Sequence, residues 1–217
     1  MLKRLRDTFR LRTRLKNLPR DYRLLKIKPY QHIEGWLTPS EAAQLYKLAA
    51  QLPAQSNIVE IGSWKGKSTY CLARGLRNSG KVFAIDPFNG EGEAGSAPIY
   101  EENAGNIPLY DTFINNMRMF RVLDKIQAMR GYSQDFVGKI PRIGLLFIDG
   151  DHSVEAVEFD YTNYASVLMR GGFLAFHDYR VSSEKPGPTW VIDNKVIPSG
   201  DYDFVGQYDS LWVAQKR

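Results

Sequence analysis

Two short stretches concentrate the side chains that could do acid, base or metal chemistry: Ile148-Asp149-Gly150-Asp151-His152-Ser153 and Ala175-Phe176-His177-Asp178-Tyr179. Each follows an apolar, β-prone run, so each is expected to lie just beyond a strand. If those strands are neighbours, Asp149 comes within reach of His177 and Asp178, an oxygen-and-nitrogen set suited to Mg²⁺ or another divalent cation. His152 is expected at the rim. Together the groups suit deprotonation of a hydroxyl, because a metal lowers the hydroxyl pKa and a neutral histidine takes the proton. A structural account competes: Asp151 or Ser153 can cap the following helix, and His177 can be a hydrogen-bonded structural imidazole.

A third stretch, Glu60-Ile61-Gly62-Ser63-Trp64-Lys65-Gly66-Lys67-Ser68, has the spacing ExGxxxG. The dinucleotide fingerprint GxGxxG needs a glycine where the pyrophosphate meets the backbone, and Trp64 occupies that position. S-adenosylmethionine carries no phosphate, so a turn that holds it needs glycine only at the sharp bend or against the methionine portion. Tight strand-to-helix packing is the competing explanation for the glycines. Asp86, twenty residues beyond Gly66, is placed to accept both hydroxyls of an adenosine ribose. Gly131-Tyr132-Ser133-Gln134-Asp135 supplies polar groups at the height of an adenine edge.

The elements that must position these groups follow from patterning. Thr38-Pro39-Ser40-Glu41 has the form of a helix start, with a Thr cap, Pro at the first helical position and Glu three residues after the cap. Short β-rich runs then alternate with helical patterns: strands at Asn57 to Ile61, Lys81 to Ile85, Lys125 to Met129, Ile143 to Ile148 and Gly172 to Phe176, with helices at Lys67 to Arg77, Asp111 to Phe120 and Ser153 to Met169. Tyr202 to Gly206 and Leu211 to Gln215 are expected to close the sheet as an antiparallel hairpin. The predicted class is α/β, a Rossmann-like doubly wound and mostly parallel seven-stranded sheet. Residues 89 to 109, rich in Gly and Pro, form a loop long enough to serve as a lid or substrate segment.

The chain has 217 residues and a formal net charge of +5. Residues 1 to 28 hold eleven basic and two acidic residues, so the remainder is net acidic at −4. The basic arm fits peripheral contact with anionic lipid, RNA or an acidic partner face, including a second copy of the chain. Its leucines are split between two sides of a helical wheel, which makes a poor membrane-anchoring stripe. No apolar run reaches the roughly 20 residues of a transmembrane helix, and a cytoplasmic location is expected. The single cysteine, Cys71, excludes an internal disulfide and falls in an apolar helix pattern, as a structural thiol does.

Taken together, VEIGSWKGKST (59–69), AIDPF (84–88), LLFIDGDHSVEAVEFDY (145–161) and GGFLAFHDY (171–179) resemble the class I S-adenosylmethionine-dependent methyltransferases. The nearest branch is similar to the macrocin O-methyltransferase and cephalosporin-hydroxylase-like proteins. The resemblance implies a methyltransferase domain over residues 35–217, preceded by a basic extension over 1–34. It implies Gly62, Gly66 and Ser68 around the methionine moiety, Asp86 at the ribose and Ser133 near the adenine, with Glu60 and Asp149 counted among the cofactor-binding residues. His152 matches a general base, with Asp149 beside it in the catalytic pair. Asp149 and Asp178 match metal ligands, with His177 standing where those members tend to carry a second carboxylate; an imidazole there removes a negative charge and favours softer metals than Mg²⁺.

The expected reaction is O-methylation of a small-molecule or glycan hydroxyl. A nicotinamide-dependent oxidoreductase or epimerase is disfavoured by Trp64. A nucleic-acid methyltransferase is disfavoured by the acidic body and by Ile-Asp-Gly-Asp-His after the fourth strand, where base-amine enzymes carry an Asn/Asp-Pro-Pro-aromatic motif. A non-catalytic binding module on the same fold is the remaining alternative.

Overall fold

The computed structural model describes residues 22–90, 107–180 and 186–217. Most of the basic arm and most of the Gly/Pro-rich loop expected as a lid lie outside the described residues. Seven strands form one sheet: β1 (Asn57–Ile61), β2 (Val82–Asp86), β3 (Ile126–Arg130), β4 (Ile143–Ile148), β5 (Leu168–Phe176), β6 (Tyr202–Tyr208) and β7 (Leu211–Lys216). Their order is β3-β2-β1-β4-β5-β7-β6. The first five are parallel, and β7 runs antiparallel between β5 and β6, as the alternating pattern and the terminal hairpin predict.

Every residue of β4 is buried, which fits a strand covered on both faces. Side chains alternate across a strand, so Leu145 and Phe147 enter one core and Leu146 and Ile148 the other. The first core is filled by Leu45 and Leu48 of α1 (Pro39–Ala50), Tyr70 and Leu72 of α2 (Lys67–Gly75), and Phe113 and Met117 of α3 (Leu109–Met119). The second takes Val157 and Tyr164 of α4 (Val154–Ala165), Val191 of α5 (Pro186–Val191) and Ile192 of the π-helical turn that continues it. Ile27, Tyr30 and Ile33, near the end of the basic segment, are buried in the first core. Among the described residues, no helix is long and apolar enough to cross a membrane.

The start of α1 forms as its sequence predicts. Thr38 Oγ1 accepts from the Glu41 N–H at 3.3 Å, and Glu41 Oε2 accepts from the Thr38 N–H at 2.8 Å. The end of α4 differs from expectation: it stops at Ala165 instead of running to Met169, because Leu168 already pairs with Ile143 as the start of β5. The register then shifts before Leu145 pairs with Phe173. The irregularity takes up Gly171, at φ +74°, whose missing Cβ tolerates that backbone.

α1 and α2 cross closely at Gly75, where a Cβ would lie 2.3 Å from the Tyr46 carbonyl oxygen and 2.8 Å from the Ala49 Cβ. Backbone cannot yield as a flexible side chain does, so Gly75→Ala should destabilise the protein by about 1–3 kcal/mol through overpacking. Urea unfolding checks this; an unchanged midpoint would show that the helices separate without cost.

Candidate active site

Parallel registration brings five strand ends level. Met129, Ile85, Ile61, Ile148 and Phe176 are lateral neighbours in sequence across β3, β2, β1, β4 and β5. The hydrogen-bond ladder continues one residue further: Gly62 N–H donates to Ile85 O at 2.9 Å, Asp149 N–H to Ile61 O at 2.8 Å, and His177 N–H to Ile148 O at 3.1 Å. The strand order reverses between β1 and β4, the switch point at which open α/β sheets bind ligands.

Gly62 has φ +87°, and a Cβ there would sit 2.0 Å from the Asp149 carbonyl oxygen. Gly66, the N-cap of α2 at φ +89°, faces Met117 Cε, 2.5 Å from a built Cβ. Packing of β1 against the β4 loop and of α2 against α3 therefore accounts for both glycines. Between them Trp64 is held at φ +48°, a left-handed conformation that costs a non-glycine residue about 1–3 kcal/mol and often marks functional turns.

Asp86 ties this turn to β2. Its Oδ2 accepts from the Ser63 and Trp64 N–H groups at 2.9 and 2.8 Å, and its Oδ1 from the Phe88 N–H at 2.6 Å. Burial raises its pKa, partly offset by those three donors. A carboxylate offers about four acceptor sites, so room remains for hydroxyl donors. Glu60 is fully buried beneath the turn; its Oε2 accepts from Ser63 Oγ at 2.9 Å and from Thr69 Oγ1. Burial lifts its pKa to about 7 against the pull of the Ser68, Thr69 and Ser63 hydroxyls. Ser68 is buried in the first turn of α2. Ser133 opens a 3₁₀ turn after β3, and its carbonyl accepts from Tyr164 Oη at 2.6 Å.

The ends of β4 and β5 bring together Asp149, His152, His177 and Asp178. His152 Nε2 lies 3.0 Å from Asp178 Oδ2 and 3.9 Å from Asp149 Oδ1. His177 Nδ1 lies 3.1 Å from Asp149 Oδ1 and 3.4 Å from Asp178 Oδ1. One donor atom each from Asp149, His152 and Asp178 lie within 4.8 Å of one another, as a metal ion requires. His177 turns its other nitrogen, Nε2, away toward Glu41. His152 is 5% exposed and not at the rim. Gly187 covers it, donating its N–H to His152 O at 3.0 Å. The accessible groups are the two carboxylates, with side chains 19% and 18% exposed. Asp178 sits at φ +56°, a strained backbone that the surrounding contacts maintain. Asp151 and Ser153 take structural parts, Ser153 capping α4 through the Ala156 N–H at 3.3 Å and Asp151 accepting from the Ser153 N–H at 2.7 Å.

Glu41 is the member of the cluster that sequence reasoning read only as a helix cap. It is 1% exposed, and its Oε2 lies 3.3 Å from His177 Nε2. Burial opposes its charge, but the His177 imidazole, Ser210 and the Thr38 N–H hold its pKa down at about 2. Burial likewise opposes a charged His177, and Asp149, Asp178 and Glu41 overcome it, raising the His177 pKa well above the ordinary value. Burial would raise Asp178, yet the two histidines hold it well below the carboxylate range. Cys71 is buried, and burial pushes its thiol pKa up, which suits packing and not nucleophilic attack.

Because its folded pKa is raised, Glu60 keeps a proton between about pH 4.5 and 7 that the unfolded chain has lost, so its contribution to stability falls as pH rises through that window. Glu60→Gln should therefore gain on the wild type between about pH 5 and about pH 8, by on the order of 2 kcal/mol. Denaturation at both pH values measures the difference; a pH-independent gap between the two proteins contradicts it.

The profile of a methyltransferase domain family matches residues 59–179, more than half of the chain. Protein R132 of Acanthamoeba polyphaga mimivirus is 27% identical over 128 residues, which are 56% of this chain and 51% of the viral protein. The chain thus spans about half the length of that curated relative. Among solved structures, the O-methyltransferase NovP aligns with a TM-score of 0.63 at 17% identity, covering 82% of this chain and 80% of NovP. An O-methyltransferase from Bacillus cereus in complex with SAH aligns with a TM-score of 0.61 at 15% identity, covering 91% and 90%. With the matched residues running from β1 through the Asp149 and His177 loops, the chain belongs to the methyltransferase domain family and has the fold of the class I S-adenosylmethionine-dependent enzymes.

Proposed function

We propose that the protein transfers a methyl group from S-adenosylmethionine to the hydroxyl oxygen of a small molecule or glycan. The observation that carries this reading is the convergence of Asp149, His152 and Asp178 at the strand ends beside the Gly62 turn and Asp86. The donor lies along that turn, with its ribose hydroxyls donating to Asp86 and its adenine toward Ser133. The likeness to NovP and to the Bacillus cereus enzyme, both described as O-methyltransferases, supports an oxygen acceptor.

In the reaction the carbon–sulfur bond to the methyl group breaks as a carbon–oxygen bond forms, leaving a thioether and a methyl ether. The hydroxyl proton passes by way of the partly exposed Asp178 carboxylate to His152 Nε2, which lies buried 3.0 Å behind it, and Asp178 stabilises the imidazolium that results. Asp149 and Asp178 present the only charge opening toward the acceptor among the four clustered side chains, which orients its hydroxyl toward the histidine.

A divalent-metal site is a second reading of the same three residues. Two carboxylate oxygens and one imidazole nitrogen within 4.8 Å fit Mn²⁺ or Mg²⁺ among the hard and intermediate cations. When bound, such an ion lowers the pKa of a hydroxyl. The imidazole nitrogen of His152 cannot hold the ion and take the proton at once, so the two readings separate experimentally.

Transfer of labelled methyl from S-adenosylmethionine to a panel of phenols, sugars and glycosides, with and without Mn²⁺, tests the proposal. His152→Ala should lower kcat about 100- to 10,000-fold, the range of a positioned base. Asp149→Asn should abolish any stimulation by Mn²⁺. Methylation confined to amines, or a His152→Ala variant as fast as the wild type, would contradict the assignment.

A further inference from the structure

Glu41 and Ser210 lie outside the residues matched by the family, yet they form the back wall of the cluster. Glu41 Oε1 accepts from the Ser210 N–H at 3.0 Å and from Ser210 Oγ at 2.6 Å. Its Oε2 accepts from the Thr38 N–H at 2.8 Å and faces His177 Nε2 at 3.3 Å. Thr38 Oγ1 in turn donates to Asp209 Oδ2 at 2.6 Å. One buried carboxylate therefore joins three segments remote in sequence: the start of α1, the end of β5 and the β6–β7 turn. A cap on an exposed helix end would need only the Thr38 N–H. Both oxygens here carry further partners.

We propose that Glu41 is a positioning residue of the active site, acting through His177 to set the directions of the Asp149 and Asp178 carboxylates. The packing around the buried His177 ring does not by itself decide its flip. The edge of Phe147 meets it at 6.4 Å between centroids and 83° between planes, and that contact survives a flip of the ring. Only polar contacts distinguish nitrogen from carbon around an imidazole. Nε2 lies 3.3 Å from Glu41 Oε2 as an ion-pair contact outside hydrogen-bond geometry, and in that orientation Nδ1 faces Asp149 at 3.1 Å and Asp178 at 3.4 Å. Without the carboxylate, the ring loses its reference and both aspartates lose a shared partner. Outer partners of this kind typically change metal affinity 10- to 100-fold. The inference rests on the proposed role of Asp149 and Asp178, and it makes the start of α1 part of the site.

The test compares the full-length wild type with Glu41→Gln and Thr38→Ala, each labelled with ¹⁵N-histidine. The chain has three histidines, so the ring signals can be assigned with His177→Asn as a reference. Glutamine can serve a capping box as glutamate does, so Glu41→Gln with its amide oxygen in place of Oε2 spares the helix and leaves a neutral group against His177, removing the charge that attracts Nε2. The expected result is a shifted or exchange-broadened His177 ring at constant pH in Glu41→Gln, with Mn²⁺ affinity, read by electron paramagnetic resonance, about ten-fold weaker than wild type. Thr38→Ala should melt earlier yet keep the wild-type His177 signals. Wild-type signals in Glu41→Gln overturn the proposal, as does a Thr38→Ala spectrum altered equally, which would trace the effect to fraying of the helix. If the wild type takes up no Mn²⁺, the metal reading fails by itself and the imidazole spectra decide the role of Glu41.

Discussion

Asp149 packs its peptide carbonyl against Gly62 so closely that no side chain fits between them. That contact exists because β1 and β4 are hydrogen-bonded in parallel, with Ile61 beside Ile148, and because the chain leaves both strands at the same height. The turn after β1 and the loop after β4 are thereby held against each other. The same registration carries on to Phe176 of β5, which places His177 and Asp178 opposite Asp149. A slip of one residue in any of these pairings would turn the side chains to the other face of the sheet, and the cluster would not assemble.

The cluster concentrates charge at a price met by mutual pairing. Glu41 is too buried to be stable as an isolated anion, and His177 is too buried to be an isolated cation. The histidines stabilise the ionised Glu41 and Asp178, and the carboxylates around His177 stabilise its charged form. Glu41, His177 and Asp178 are therefore coupled, and their protonation belongs to the set. Glu60, by contrast, lies beneath the turn among hydroxyl donors, and burial dominates its ionisation. Neighbouring carboxyl groups thus take different parts according to whether a cation or a set of neutral hydroxyls faces them.

Much of this was legible in the sequence because the deciding signals are local. The capping box at Thr38 to Glu41, the glycine turn after β1 and the carboxylates after β2 and β4 each occupy a few consecutive residues, and alternation of short apolar runs with helical patterns identifies a doubly wound sheet. The start of β5 was hidden because Met169-Arg170-Gly171-Gly172 has the composition of a turn, whereas the structure absorbs the glycines in a register shift that no local rule foresees. His152 was expected at the rim, since no feature of its own loop reveals that Gly187 covers it. The second duty of Glu41 was likewise invisible: its contacts with His177 and Ser210 span most of the chain, and the capping box already supplied a sufficient reason for an acidic residue there.

The proposed function requires the sheet crest to accept a sulfonium nucleoside at the β1–β4 switch point. Isothermal titration of the full-length protein with S-adenosylhomocysteine measures this most directly. One equivalent should bind, and Asp86→Ala, which removes the proposed acceptor for the ribose hydroxyls, should weaken binding at least ten-fold in a variant that remains folded. Absence of binding to the well-folded wild type would contradict the central claim.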